Sequence, residues 1–170
     1  MKIYKCRSCK SQHLEKVLSL GSQKLTGVFP SSANQIIPEG ELSLVFCKKC
    51  KLLQLESSFD PLSMYGENYG YMSSLNASMI DHLSKKAQKI KKIIELSPGD
   101  AVCDIGSNDG TFLSFFSKNL TLIGVDPTIK KLREFYRKDI IKIADFLSFK
   151  IIKKKIKKKI KLITSISMFY

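Results

Sequence analysis

The sequence predicts an α/β fold in which a small cysteine-bearing module precedes the first half of a parallel sheet. Three observations predict it. Two Cys-x-x-Cys pairs fall within the first 50 residues. The stretch between them is punctuated by Gly21, Gly27, Pro30, Pro38 and Gly40, residues that favour turns. From about residue 100 onward, short apolar runs alternate with charged helical stretches, the pattern of parallel strands joined by crossovers.

Composition narrows the class. The chain has 170 residues, 44% of them hydrophobic, which fills a core and excludes a wholly disordered protein. No apolar run reaches the roughly 20 residues of a membrane helix. The opening Met1-Lys2-Ile3-Tyr4-Lys5-Cys6 is too polar for a secretion signal, so a reducing cytoplasm is the expected compartment. The net charge of +14 suggests a nucleic-acid binder until it is located. Lys150 to Lys161 holds eight lysines and no acid, and every Asp and Glu precedes it. The charge is local, and its bland reading is a solvated helix face.

Residues 1–60 form the first module, with Leu42–Phe46 as a strand leading into the second cysteine pair. A module so poor in large apolar residues needs a staple. Residues 61–74 read as a tyrosine-rich connecting loop, and residues 75–170 as the second module. Its first helix spans about Leu75–Leu96, with Leu75, Met79, Leu83, Ala87, Ile90 and Ile94 on one face, Ser73 or Ser74 as cap and Pro98-Gly99 as stop. Strands follow at Ala101–Ile105, Leu120–Val125, Ile140–Ala144 and Lys161–Met168. Helices are expected at Thr111–Lys118 and Ile129–Lys138.

Cys6, Cys9, Cys47 and Cys50 are four thiols in two tight turns, the donor set of a closed tetrahedral zinc site. Lys5, Arg7, Lys10, Lys48, Lys49 and Lys51 flank them and offset the negative charge of such a centre. Unligated thiols or a redox pair are the alternatives. Redox chemistry wants one pair at a strand-to-helix junction, and two pairs in a Gly/Pro-rich stretch fit that poorly. A four-sulfur site has no open position, so it stabilises. Cys103, inside a strand, reads as a small core residue, and His13 and His82 as surface side chains.

The segment Asp104-Ile105-Gly106-Ser107-Asn108-Asp109-Gly110 links a strand to a helix. Gly106 permits the turn and Gly110 a close approach to a ligand. Asn108 replaces the middle glycine of a dinucleotide fingerprint, and Asp104 suits an ammonium group better than phosphate. Asp126, 20 residues after Gly106, ends the next strand where a carboxylate accepts from a ribose diol. Asp145 ends the third, near the place of an adenine amino group. S-adenosylmethionine satisfies all three acids, with Gly106, Ser107, Asn108 and Gly110 forming the turn against it. The alternative is an ordinary α/β domain whose acids cap helices.

Cys6-Arg7-Ser8-Cys9, Cys47-Lys48-Lys49-Cys50 with Leu53-Gln54-Leu55, the joining Tyr69-Gly70-Tyr71-Met72-Ser73-Ser74 and the Asp104–Gly110 turn together resemble the sugar C-methyltransferase family. The resemblance implies a zinc-binding module joined to a Rossmann-like class I methyltransferase sheet. It also implies deprotonation of a nucleotide-linked keto-sugar beside its carbonyl, transfer of methyl to the enolate carbon, and a Tyr69 that faces the reaction centre. A complete sheet of that class has about seven strands, against the four legible here. The expectation is therefore the N-terminal part of a longer enzyme, without turnover of its own. The competing reading is a zinc-ribbon module whose basic tail contacts nucleic acid. Clustered exposed aromatics for base stacking are absent from the zinc module, which disfavours it.

Overall fold

The computed structural model describes residues 1–25, 30–66 and 69–168. Gly27, the Glu67-Asn68 part of the joining loop and Phe169-Tyr170 lie outside the described residues. The chain divides into two compact units, Met1–Gly70 and Tyr71–Tyr170.

The first unit is an antiparallel sheet of β1 (Leu14–Lys24), β2 (Glu39–Cys47) and β3 (Leu53–Leu55), in the order β1-β2-β3. Of these, only the core of β2 was legible. β1 is exposed along most of both faces, so it lacks the in/out alternation that marks a strand. It is also irregular, with register shifts between Lys16 and Leu18 and between Ser19 and Ser22, and Gly21 at φ 68°. The expected loop at 61–74 contains a short helix, α1 (Pro61–Tyr65). Pro61 opens it, and the Asp60 carboxylate caps it by accepting from Ser63 N–H at 2.9 Å.

Little apolar surface is buried in this unit. Cys6, Val45 and Cys47 are its buried hydrophobic residues among those described. Glu56, 8% exposed, is held between Lys2 and Lys16, each at 2.9 Å. The two ammonium groups keep its carboxyl below the ordinary carboxylate value.

The second unit is a four-stranded parallel sheet of β4 (Ala101–Ile105), β5 (Thr121–Val125), β6 (Ile141–Ile143) and β7 (Ile160–Ser165), ordered β6-β5-β4-β7. The order reverses direction between β5 and β7 around the central β4, the switch point where open α/β sheets bind ligands. Alternation sorts the core. Val102 and Leu122 join one cluster with Leu83, Ala87, Phe112 and Ile129, while Cys103 and Ile123 join a second.

The helices are α2 (Ala77–Ile93), α3 (Thr111–Ser114), α4 (Ile129–Leu132) and α5 (Phe149–Lys155). α2 is shorter than expected because Asn76, rather than Ser73 or Ser74, caps it through Ser78 N–H. Leu75 falls in a preceding 3-10 turn and is 74% exposed, off the apolar face assigned to it. α3 stops after one turn, and α4 tightens into a 3-10 turn at Arg133–Phe135 that delivers Tyr136 to the core. The lysine run opens as α5, whose Ile151 packs on the second cluster. No helix of the described residues is long and apolar enough to cross a membrane.

Candidate functional site

The four sequence-predicted thiols converge. The sulfur atoms of Cys6, Cys9, Cys47 and Cys50 all lie within 4.8 Å of one another, with Cys6–Cys50 at 3.5 Å and Cys9–Cys47 at 3.6 Å. Zinc–sulfur bonds of about 2.3 Å in a tetrahedron place sulfurs about 3.8 Å apart, so the set fits zinc. The two turns are built alike. In each, the lysine after the second cysteine takes a left-handed conformation, Lys10 at φ 60° and Lys51 at φ 66°. Its N–H returns to the carbonyl of the first cysteine, at 3.0 Å to Cys6 and 2.8 Å to Cys47.

Donors stabilise the thiolates of Cys6 and Cys47, whereas burial and the neighbouring sulfurs push the Cys50 thiol up to about 11. Burial pushes the Cys6 thiol up, but the N–H groups of Cys9 and Ser8 and the Gln54 amide outweigh it, bringing it down to about 6. Gln54 Nε2 donates to Cys6 Sγ at 3.3 Å while its Oε1 accepts from Arg7 N–H at 3.0 Å. Gln54 is the functional residue that sequence reasoning left without a role; the signal was a buried polar residue at the centre of an apolar Leu-x-Leu strand.

In the second unit the chain turns at the carboxyl ends of β4 and β5. Gly106, at φ 72°, donates to Val125 O at 2.9 Å and joins the two strand ends. Asn108 follows at φ 50° and uses all four of its polar groups. Its N–H donates to Asp126 Oδ2 at 2.9 Å, and its carbonyl accepts from Tyr136 O–H at 2.7 Å. Its side chain accepts from Ser73 N–H at 2.9 Å and donates to Tyr71 O at 3.0 Å. Asp109 extends the strap. One oxygen accepts from Ser74 N–H at 2.8 Å, and the other from Thr111 N–H and O–H at 3.1 and 2.6 Å. The Tyr71–Ser74 backbone is therefore fastened to the glycine turn by side chains of that turn.

Asp126, 7% exposed, is committed inside the chain. Its Oδ1 accepts from Thr128 N–H at 2.8 Å and Thr128 O–H at 2.6 Å, and its Oδ2 from Asn108. Asp104, 3% exposed, accepts from Thr164 O–H at 2.7 Å. Burial, with the Asp126 charge nearby, pushes its carboxyl up to about 7 against the hydrogen bond from Thr164. Asp145 is exposed and accepts from Phe146 N–H at 2.8 Å. Tyr69 belongs to the first unit, where its N–H reaches Gly66 O at 3.1 Å and its ring stands 5.6 Å from that of Tyr65.

Gly110 has a neighbour within the chain. At φ 79° a Cβ there would lie 2.6 Å from Tyr136 Cδ1, so its missing side chain makes room for this chain's own tyrosine. Gly106 is similar, its Cβ position lying 2.6 Å from Met168 Sδ. Cys103 is a core residue as expected, its thiol pushed up to about 11 by burial and by Asp104. His13 and His82 are exposed. A cavity of about 350 Å³ lined by Lys91, Leu96, Pro98 and Asn119 opens near the amino-terminal ends of β4 and β5, the other end of the sheet from these loops.

Residues 6–65 match the family model of the Methyltransf_13 zinc binding domain. The chain is 32% identical over 128 residues to C-methyltransferase NovU of Streptomyces niveus, an alignment covering 74% of this chain and 30% of that relative. The family-model match and the converged four-cysteine cluster together identify residues 6–65 as a zinc-binding module, and the chain that carries it is similar to a C-methyltransferase, spanning about 30% of that relative's length.

Proposed function

We propose that this chain is the zinc-binding and cofactor-binding portion of an S-adenosylmethionine-dependent C-methyltransferase acting on a nucleotide-linked keto-sugar. The observation that carries the reading is the meeting of the Gly106 turn with Asp104 and Asp126 at the carboxyl ends of adjacent strands. Bound S-adenosylmethionine supplies an electrophilic methyl group. Asp104 offers a buried carboxylate to an ammonium group, and a cation there would favour its ionised form. Asp126 keeps one acceptor position on Oδ2 among its described partners, which a ribose hydroxyl would use. Asp145, exposed at the end of β6, is assigned to the adenine amino group. The turn from Gly106 through Ser107 and Asn108 to Gly110 supports the cofactor.

On the substrate, a proton leaves the carbon beside the carbonyl and the resulting enolate carbon takes the methyl group. Tyr69 is assigned to face that carbon. The zinc centre, closed by four thiolates, holds the first unit folded and takes no part in the transfer. The alignment spans 30% of the relative, so acid/base groups beyond these residues are assigned to the rest of the reaction.

Calorimetric titration with S-adenosylmethionine tests the cofactor half. Saturable 1:1 binding supports it. A folded, zinc-loaded chain that takes up no S-adenosylmethionine, whether alone or in a longer version, overturns it.

A further inference from the structure

We infer that Tyr136 is a positioning residue for the cofactor turn, its hydroxyl fixing the backbone of Ser107–Gly110; the inference rests on the reading of that turn as the S-adenosylmethionine site. Tyr136 lies 26 residues beyond Gly110 in sequence, in no recognisable motif. The 3-10 turn at Arg133–Phe135 brings it under the loop, 4% exposed.

Its phenol is used in both directions. The O–H donates to Asn108 O at 2.7 Å, and the oxygen stands 2.8 Å from Ser107 Oγ, which donates in turn. That assignment follows from stoichiometry: a phenol has one proton, and the carbonyl can only accept. The Asn108 carbonyl is thereby satisfied without water, and the Ser107 hydroxyl is held in one rotamer. Asn108 stands in a left-handed conformation, which asparagine adopts more readily than most side chains and which these bonds fix here. In that conformation its N–H meets Asp126, and its side chain meets Tyr71 and Ser73.

The ring contributes separately. A Cβ at Gly110 or Gly124 would come within 2.6 and 2.9 Å of Tyr136 ring carbons. Two glycines on different elements are thus small because one ring lies between them, and the loop rests on it. Burial, and after it the charges of Asp126, Asp104 and Asp109, push the phenol's proton affinity up against the hydrogen bond from Ser107. The phenol therefore keeps its proton, and stays a donor, through the neutral range.

The variant Tyr136→Phe keeps the ring and removes only the hydroxyl. It is read by S-adenosylmethionine calorimetry and by amide exchange resolved to the Ser107–Gly110 segment. The expected result is affinity about tenfold weaker, with exchange at Asn108 and Gly110 at least tenfold faster while amides of β4 and β5 exchange as before. Ser107→Ala, which leaves the Asn108 carbonyl bonded, should show a smaller change in both readings. Unchanged exchange in the turn overturns the inference. A uniform acceleration through β4 and β5 also overturns it, because the tyrosine would then serve the fold alone. If the unaltered chain ignores S-adenosylmethionine while Tyr136→Phe still loosens the turn selectively, the cofactor reading fails and the clamp itself stands.

Discussion

The amide of Asn108 donates to the Asp126 carboxylate at 2.9 Å, and this bond ties the turn after β4 to the turn after β5. The carboxylate expected to accept from a ribose diol is a brace between loops. Asp126→Ala leaves three buried donors without an acceptor: Asn108 N–H, Thr128 N–H and Thr128 O–H. Each orphaned group costs about 1–3 kcal/mol, reduced where water enters. A loss of about 2–4 kcal/mol is expected from urea unfolding of the chain without any ligand. An unchanged midpoint would show that the brace carries no weight.

The buried carboxyl of Asp104 sets a pH dependence. In the folded chain it keeps its proton up to about pH 7, against an ordinary value of 3.8. Between those values the native state binds one more proton than the unfolded state, so stability falls as pH rises and levels off above pH 7. The group accounts for at most about 4 kcal/mol of that fall. Asp104→Asn, neutral throughout, should flatten the curve between pH 4 and 7. Parallel curves for the two proteins would contradict it.

Gly124 has no unusual backbone conformation, so substituting it tests space alone. A Cβ there would lie 2.8 Å from Ser107 Oγ and 2.9 Å from Tyr136 Cε1. Gly124→Ala should destabilise the second unit by about 1–3 kcal/mol, the ordinary cost of overpacking. Thermal unfolding followed by circular dichroism measures it. A neutral or stabilising effect would mean that the ring and the serine yield easily.

Metal analysis should give one zinc per chain. Cys47→Ser should unfold the first unit, because ligation supplies much of the folding free energy of so small a core. Gln54→Ala keeps all four ligands but removes the N–H donated to Cys6 Sγ. Its zinc affinity should fall about 10–100-fold in a chelator competition. Affinity equal to the parent's would assign Gln54 to packing alone.

The legibility of this chain followed the kind of signal each element carries. The parallel strands were legible because their apolar runs are bounded by glycine, proline and aspartate. The four thiols were legible because metal chemistry fixes their spacing. β1 was not, since its residues are exposed on both faces and no periodicity survives. α3 came out short because its end tightens into i to i+3 bonds, Phe115 N–H to Phe112 O at 3.3 Å and Phe116 N–H to Leu113 O at 3.1 Å, and α4 because it passes into the 3-10 turn at Arg133–Phe135. Tyr136 and Thr164 escaped because their roles depend on contacts between elements distant in sequence. Asp126-Pro127-Thr128 alone carried a local hint, since an aspartate followed two residues on by a hydroxyl is a turn signal.

β7 pairs with β4 on one side, and among the described residues its other side has no partner strand, with Ile163 58% exposed along it. An open strand of this kind is a template on which a second chain can stack. The lysines at 153–155, 157–159 and 161 lead into or lie on this strand, and of them Lys158 and Lys161 are engaged by Gly99 O, Thr121 Oγ1 and Asp100. Two copies brought edge to edge would carry this charge against each other, and that repulsion would guard the open strand. The guard is only as good as the solvent allows: near 1 M salt, where screening acts within about 3 Å, the seam is left to its own stickiness.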